Sequence, residues 1–171
     1  MEDKQTATTA QNPDEQTFQA LKQLKNRLTQ SATRGPLMIT SCRSGDRMAA
    51  DVADHAAKRL DAGGGDEGLP LLQSVDREFR DGETGVRLER DVSEHDVFLF
   101  QALHDPASGR GLDQNLMAFL VAVRALREWG AQSVTGVLPY LAYSRQDQPT
   151  RLQREPTTAK LLADLLVEAG L

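Results

Sequence analysis

The 171-residue chain is long enough for one domain with a substantial core, and its 25 acidic and 20 basic side chains give a formal net charge of −5. This acidic balance disfavours a protein that binds nucleic acid without sequence preference. The single cysteine, Cys42, excludes a disulfide within one chain, and no apolar stretch could span a bilayer. With an N-terminus too polar for a signal peptide, we expect a cytoplasmic protein.

Residues 1–34 are predicted to form an N-terminal extension. Residues 1–11 are rich in Thr, Gln and Ala and are expected to be mobile. From Asn12 onward the pattern predicts an amphipathic helix, because its apolar residues fall on one face: Phe18, Leu21, Leu24 and Leu28. We expect this stripe to dock on the body of the protein or on a partner subunit.

Strands alternate with helices through residues 35–171, which predicts a parallel sheet with helices on both faces. The predicted strands are Leu37–Cys42, the central Val97–Gln101 and Ser133–Leu138. The predicted helices start after Gly45, near Asp113 as a cap, and near Pro156 as a first-turn residue. Their inward residues are predicted to be Val52, Ala56 and Leu60, then Leu116, Phe119, Leu120, Val123 and Leu126, then Leu161, Leu162, Leu165 and Leu166. Gly45 is interpreted as a turn residue. Cys42 is predicted to be a buried thiol.

Short strands at Leu71–Asp76 and Gly85–Leu88 are predicted to flank a projecting hairpin with Asp81-Gly82 at its tip. Its informative residue is Phe79, since an aromatic ring beside a polar turn either packs under the hairpin or meets a flat ligand. The residue pattern leaves both interpretations open.

A polar loop follows the last predicted strand, at the sheet edge where open α/β folds bind ligands. Within ten positions it carries fixed cations and amide donors suited to phosphate oxygens: Arg145, Gln146, Asp147, Arg151 and Arg154. A polyphosphate would fit this chemistry. The alternative is a solvated loop whose arginines pair with Asp147 and Glu155.

Two separated motifs, in the right order along the chain, resemble those of the ribose-phosphate pyrophosphokinases, or PRPP synthetases. Residues 138–147 read LPYLAYSRQD and residues 154–160 read REPTTAK, which together resemble the family's nucleotide-binding loop. Residues 79–83 read FRDGE and resemble its FSDGE adenine-binding hairpin. The resemblance covers about 37–171 and implies an N-terminal phosphoribosyltransferase-like α/β domain over residues 35–171, with the C-terminal catalytic domain absent from the chain.

The resemblance implies transfer of diphosphate from Mg-ATP to the 1-hydroxyl of ribose 5-phosphate, giving PRPP and AMP. Phe79 would stack on adenine while Asp81 and Glu83 accept hydrogen bonds from its amine. Arg145 and Gln146 would contact ATP, and Arg151 or Arg154 would close over its phosphates. The family often has a basic residue where this chain has Gln148.

In the family the hairpin enters a neighbouring subunit's site, which implies a homo-oligomer, a dimer or a hexamer. Mg²⁺ would arrive with ATP, and no catalytic residue or protein-built metal site is expected in residues 1–171, since His55, His95 and His104 lack ligand spacing. The chain alone is therefore expected to be inactive. A noncatalytic associated subunit is the chief alternative, and a phosphoribosyltransferase or a plain nucleotide-binding domain the weaker ones. No nucleic-acid or membrane partner is expected.

Overall fold

The computed structural model describes residues 35–61, 71, 74–148 and 154–171. The extension predicted for residues 1–34 and the predicted phosphate contact Arg151 lie outside these residues. Among the helices in this part of the chain, none combines the length and apolarity needed to cross a membrane.

Strands and helices alternate along the described chain. Their bounds are β1 Leu37–Ser41, α1 Asp46–Asp61, β2 Asp76–Glu78, β3 Thr84–Val86, β4 Asp96–Phe100, α2 Leu112–Glu128, β5 Ser133–Val137 and α3 Thr158–Ala169. A short 3₁₀ turn, Arg43–Gly45, leads from β1 into α1.

The main sheet contains three parallel strands in the order β1-β4-β5. The register sets Ile39 opposite Phe98, and Phe98 opposite Thr135. The predicted central position of the β4 segment is confirmed. Parallel pairing brings the carboxyl ends of all three strands to one edge, so the loops that follow them can share a ligand.

Alternate residues of the strands supply two apolar layers, as the period of two in a strand requires. Val97 and Leu99 of β4 pack with Phe119 of α2 on one face. Phe98 and Phe100 join a smaller cluster with α1 on the other. The prediction of helices on both faces of a parallel sheet is therefore confirmed.

The predicted inward face of α1 is wrong at Val52, while Ala56 is half-buried. Val52 is 41% exposed, whereas Ala49 and Ala53 are buried against Phe100 and Ile39. Small alanines let the helix approach the sheet closely, and a pattern that favours large apolar residues misses them. The side chain of Leu60 lies outside the description.

Gly45 permits the same close approach, so it is more than a turn residue. A Cβ at Gly45 would lie 2.1 Å from the carbonyl oxygen of Phe100. The turn after β1 therefore crosses the end of β4 at backbone contact distance.

The hairpin strands are shorter and nearer the tip than predicted. Asp76–Glu78 pairs antiparallel with Thr84–Val86. Leu71 instead forms an isolated parallel bridge with Ile39.

Two predicted helix starts also need correction. Gly111 precedes α2 as its cap, and Gln114 Oε1 accepts the Gly111 N–H at 3.1 Å, so Asp113 is not the cap. Pro156 lies before Thr157, which caps α3. Helix α3 ends at Gly170, which adopts φ 117°, a conformation that glycine reaches without strain.

Candidate functional site

A cavity of about 890 Å³ opens at the carboxyl ends of the central strands. Its walls come from the loop after β4, the start of α2 and the loop after β5. The lining residues are His104, Leu112, Asp113, Tyr140, Tyr143, Arg145 and Gln146. The predicted polar loop therefore does border a cavity at the ligand-binding edge of the sheet.

Arg145 lines this cavity and is exposed. Within the described residues its guanidinium forms neither an ion pair nor a hydrogen bond, so no contact with Asp147 neutralises it. A planar guanidinium in this state can offer paired N–H donors to a phosphate group.

Gln146 is held by the first turn of α3. The Thr158 hydroxyl donates to Gln146 Oε1 at 2.6 Å, and the Ala159 N–H donates to the Gln146 carbonyl at 3.2 Å. Since its side-chain oxygen is already engaged, the amide NH₂ is the group left to donate to a ligand oxygen.

Tyr143 has φ 60°, in the left-handed region that side chains rarely adopt. Its hydroxyl donates to the Asp113 carboxylate in the first turn of α2. This hydrogen bond is the main cause of a raised pKa at the Tyr143 hydroxyl. The neighbouring Ala142 is fully buried in the main core, which fixes the loop beneath the tyrosine.

The sequence did not indicate the Asp113–Tyr143 contact. An aspartate near a helix start ordinarily indicates a cap, and nothing in a tyrosine indicates a positive φ. Arg154 is exposed just before α3 and does not appear among the residues described as lining the cavity.

The hairpin brings Phe79, Asp81 and Glu83 together around a shallow recess at its tip. Asp81 Oδ1 accepts the Glu83 N–H at 3.2 Å, and Gly82 takes the φ of 91° that the turn requires. Among the described residues, none lines both this recess and the Arg145 cavity.

Phe79 partly covers its own hairpin and partly faces solvent. A Cβ at Gly85 would lie 2.7 Å from Phe79 Cε2, so the ring rests on that glycine. The Arg77 guanidinium lies 5.1 Å from the ring centroid. The residue is nevertheless 45% exposed, so part of it faces solvent.

A buried ion pair holds the base of this hairpin to the domain. Arg110, from the loop after β4, pairs with Asp76 and with Glu78, the latter at 3.3 Å. Asp76 also accepts the Arg43 N–H at 2.5 Å, while burial, reinforced by the Asp76 charge, raises the pKa of the adjacent Cys42 thiol well above its usual value. Cys42 is thus the buried thiol that the sequence predicts.

No group of three or more His, Cys, Asp or Glu side chains that could hold a metal ion occurs in the described ranges.

Comparison with known proteins points to one family. The sequence model for the N-terminal domain of ribose phosphate pyrophosphokinase matches residues 37–170. The chain is 44% identical over 102 residues to a ribose-phosphate pyrophosphokinase of Mycoplasma pneumoniae, covering 60% of this chain and 29% of the relative. A ribose-phosphate pyrophosphokinase 1 of Streptococcus agalactiae is 44% identical over 103 residues, covering 60% and 30%.

A solved structure gives the same answer. The crystal structure of phosphoribosylpyrophosphate synthetase from Mycobacterium smegmatis aligns with a TM-score of 0.62 and 35% identity, covering 78% of this chain and 39% of that one. The chain spans about three tenths of the length of the curated relatives it matches. The chain therefore belongs to the ribose-phosphate pyrophosphokinase family, whose N-terminal domain it carries.

Proposed function

We propose that the protein to which this chain belongs is a cytoplasmic ribose-phosphate diphosphokinase that takes Mg-ATP and ribose 5-phosphate. The observation that carries the proposal is Arg145, an unpaired guanidinium within the described residues that lines the cavity beside Gln146. Family membership supplies the substrate class, and the site supplies donors that suit a polyphosphate.

In this reaction the 1-hydroxyl oxygen of ribose 5-phosphate forms a bond to the β-phosphorus of ATP. The bond from that phosphorus to the α-phosphate oxygen breaks, AMP leaves with its electron pair, and the hydroxyl proton passes to water. Catalysis of such transfers rests mainly on positioning and on charge stabilisation. Arg145 and the Gln146 amide serve both needs at the ATP phosphates.

When bound together with ATP, Mg²⁺ would neutralise part of the phosphate charge. The described residues supply no cluster of metal ligands, so we assign none of them to the ion. The resemblance implies that the catalytic residues lie in a C-terminal domain outside residues 1–171. We therefore propose that this segment supplies ATP contacts and does not form PRPP by itself.

The test is direct. The natural protein, purified and confirmed to be folded, is incubated with Mg²⁺, ATP and ribose 5-phosphate, and both AMP and PRPP are quantified by chromatography. We expect equal amounts of the two products from ATP, and much less PRPP when GTP replaces ATP, with GMP as the co-product of whatever PRPP then forms. A folded protein that binds ATP but forms no PRPP would instead be the noncatalytic associated subunit.

A further inference from the structure

Tyr143 occupies a conformation that its own residue type does not favour. At φ 60° it is one of two non-glycine residues with positive φ in the described part of the chain, the other being Glu94. Such a conformation persists only where its surroundings fix it. At 39% exposure, Tyr143 is not held by burial.

The contacts that hold it come from two helices. On the α2 side, Asp113 accepts the Tyr143 hydroxyl. On the α3 side, the Thr158 hydroxyl, whose one proton goes to Gln146 Oε1 at 2.6 Å, lies 3.5 Å from the Tyr143 carbonyl oxygen. The same carbonyl accepts the Gln146 N–H at 3.4 Å, which closes the turn that contains Arg145.

The turn thus lies between two fixed supports. Thr158 and Ala159 hold Gln146 on one side, and Asp113 holds Tyr143 on the other. Arg145 lies between them and has no partner of its own among the described side chains. The direction of Arg145 therefore depends on whether Tyr143 keeps its positive φ.

The negative charge of Asp113 indicates that this residue does not itself bind the nucleotide. It lines the same cavity as Arg145, where a carboxylate would repel a polyphosphate. One oxygen of the Asp113 carboxylate instead accepts the hydrogen bond from the Tyr143 hydroxyl, so this side chain has a structural role.

We propose that Asp113 is a positioning residue, which holds Tyr143 in its left-handed conformation and so keeps Arg145 and Gln146 arranged for the ATP phosphates. The inference rests on the proposed function. Loss of the hydrogen bond releases the turn, and the bound polyphosphate must then order it again. The cost therefore falls on KM for ATP more than on kcat.

Variants of the natural protein separate this role from others. Asp113→Ala removes the acceptor and Tyr143→Phe removes only the donor, so each should raise KM for ATP by about tenfold. The double variant should be no worse than either single one, because both remove the same contact. Asp113→Asn keeps an oxygen acceptor and should stay within about threefold of wild type. Asp164→Ala, in a surface ion pair of α3, is the matched control.

A second measurement does not depend on turnover. Hydrogen exchange of the amides in residues 143–148 should become faster in Asp113→Ala and Tyr143→Phe, and stay near wild type in Asp113→Asn and Asp164→Ala. Normal KM with unchanged exchange in both disrupting variants would refute the positioning role while leaving the proposed function intact. A loss in Asp113→Asn equal to that in Asp113→Ala would also refute it, because it would show that the charge matters.

If the wild-type protein forms no PRPP, the proposed function fails separately. Exchange and equilibrium ATP binding then decide the inference by themselves. Faster exchange with weaker ATP binding would support the Asp113–Tyr143 contact as a support for the turn, and no change in either would overturn it.

Discussion

Arg145 is the residue on which the proposed phosphate contact depends most directly. Its guanidinium has no ionic partner in the described structure, so no structural salt bridge neutralises its charge. A donor that meets charge developing in the transition state contributes more to turnover than to ground-state binding.

Arg145→Ala in the natural protein should therefore lower kcat by roughly 100–1,000-fold, as removal of a transition-state donor does elsewhere. Arg145→Lys should recover only part of this loss, because an ammonium cannot make the planar paired contact. Steady-state rates of AMP formation at saturating ribose 5-phosphate measure both effects. Arg59→Ala, an exposed arginine in the last turn of α1, controls for the general loss of positive charge. Near-normal kcat in Arg145→Ala would remove this residue from the mechanism.

Some residues of the candidate site were predictable from sequence and others were not. Arg145 and Gln146 stand out because cations and amides follow an apolar strand within a few positions. Asp113 and Tyr143 are 30 residues apart, and their contact depends on a backbone angle that no residue type there indicates. The buried pair of Arg110 with Asp76 joins residues 34 apart, and neither residue carries a local signal that names the other.

At the scale of elements, the hairpin is attached to the domain through its base. The Asp76 side chain is fully buried and that of Arg110 is only 4% exposed, so bulk water solvates neither charge well. One nitrogen of Arg110, Nη2, is buried without a hydrogen-bond partner among the described atoms. Such a pair holds the hairpin in one position, but replacing only one of its two partners strongly lowers the free energy of unfolding.

Arg110→Ala should lower the free energy of unfolding by about 3–5 kcal/mol, because it leaves the Asp76 carboxylate buried and unpaired. The double variant Asp76→Asn with Arg110→Met should recover much of this loss, since the amide oxygen can still accept the Arg43 N–H without a buried charge. Urea denaturation measures both.

The exposed pair of Lys160 with Asp164, joined at 2.7 Å on α3, provides the comparison. Lys160→Ala should cost less than about 1 kcal/mol, because solvent screens that pair. Equal losses at Arg110 and Lys160 would contradict the buried-pair argument.

The elements themselves follow the sequence pattern unevenly. The β4 strand was predictable because a short, continuous apolar run is typical of a strand covered on both faces. The face of α1 was not, since its contact residues Ala49 and Ala53 are too small to dominate an apolar pattern. The hairpin strands shifted because Leu71 pairs with the main sheet rather than with the hairpin.

For the whole molecule, the two candidate nucleotide contacts line different recesses of the described chain. The hairpin tip forms its own recess, and the Arg145 cavity is lined by other elements. Phe79 is partly exposed to solvent. The family resemblance implies a site shared between subunits, with one subunit giving the base contact and the other the phosphate contact, and the last prediction tests that proposal.

The last prediction tests that shared site by complementation in the natural protein. Phe79→Ala should raise the ATP requirement, because stacking of a base on one aromatic ring contributes about 1–3 kcal/mol. Arg145→Ala should be defective for the separate reason given above. When the two variants are mixed and allowed to exchange subunits, some interfaces regain an intact Phe79 facing an intact Arg145, so activity at limiting ATP should rise above that of either variant alone. Each variant mixed with itself is the control, and exchange is confirmed by native mass spectrometry. If exchange is complete and no mixture recovers activity, the hairpin serves its own chain, and Phe79→Ala should then lower the melting temperature without altering nucleotide preference.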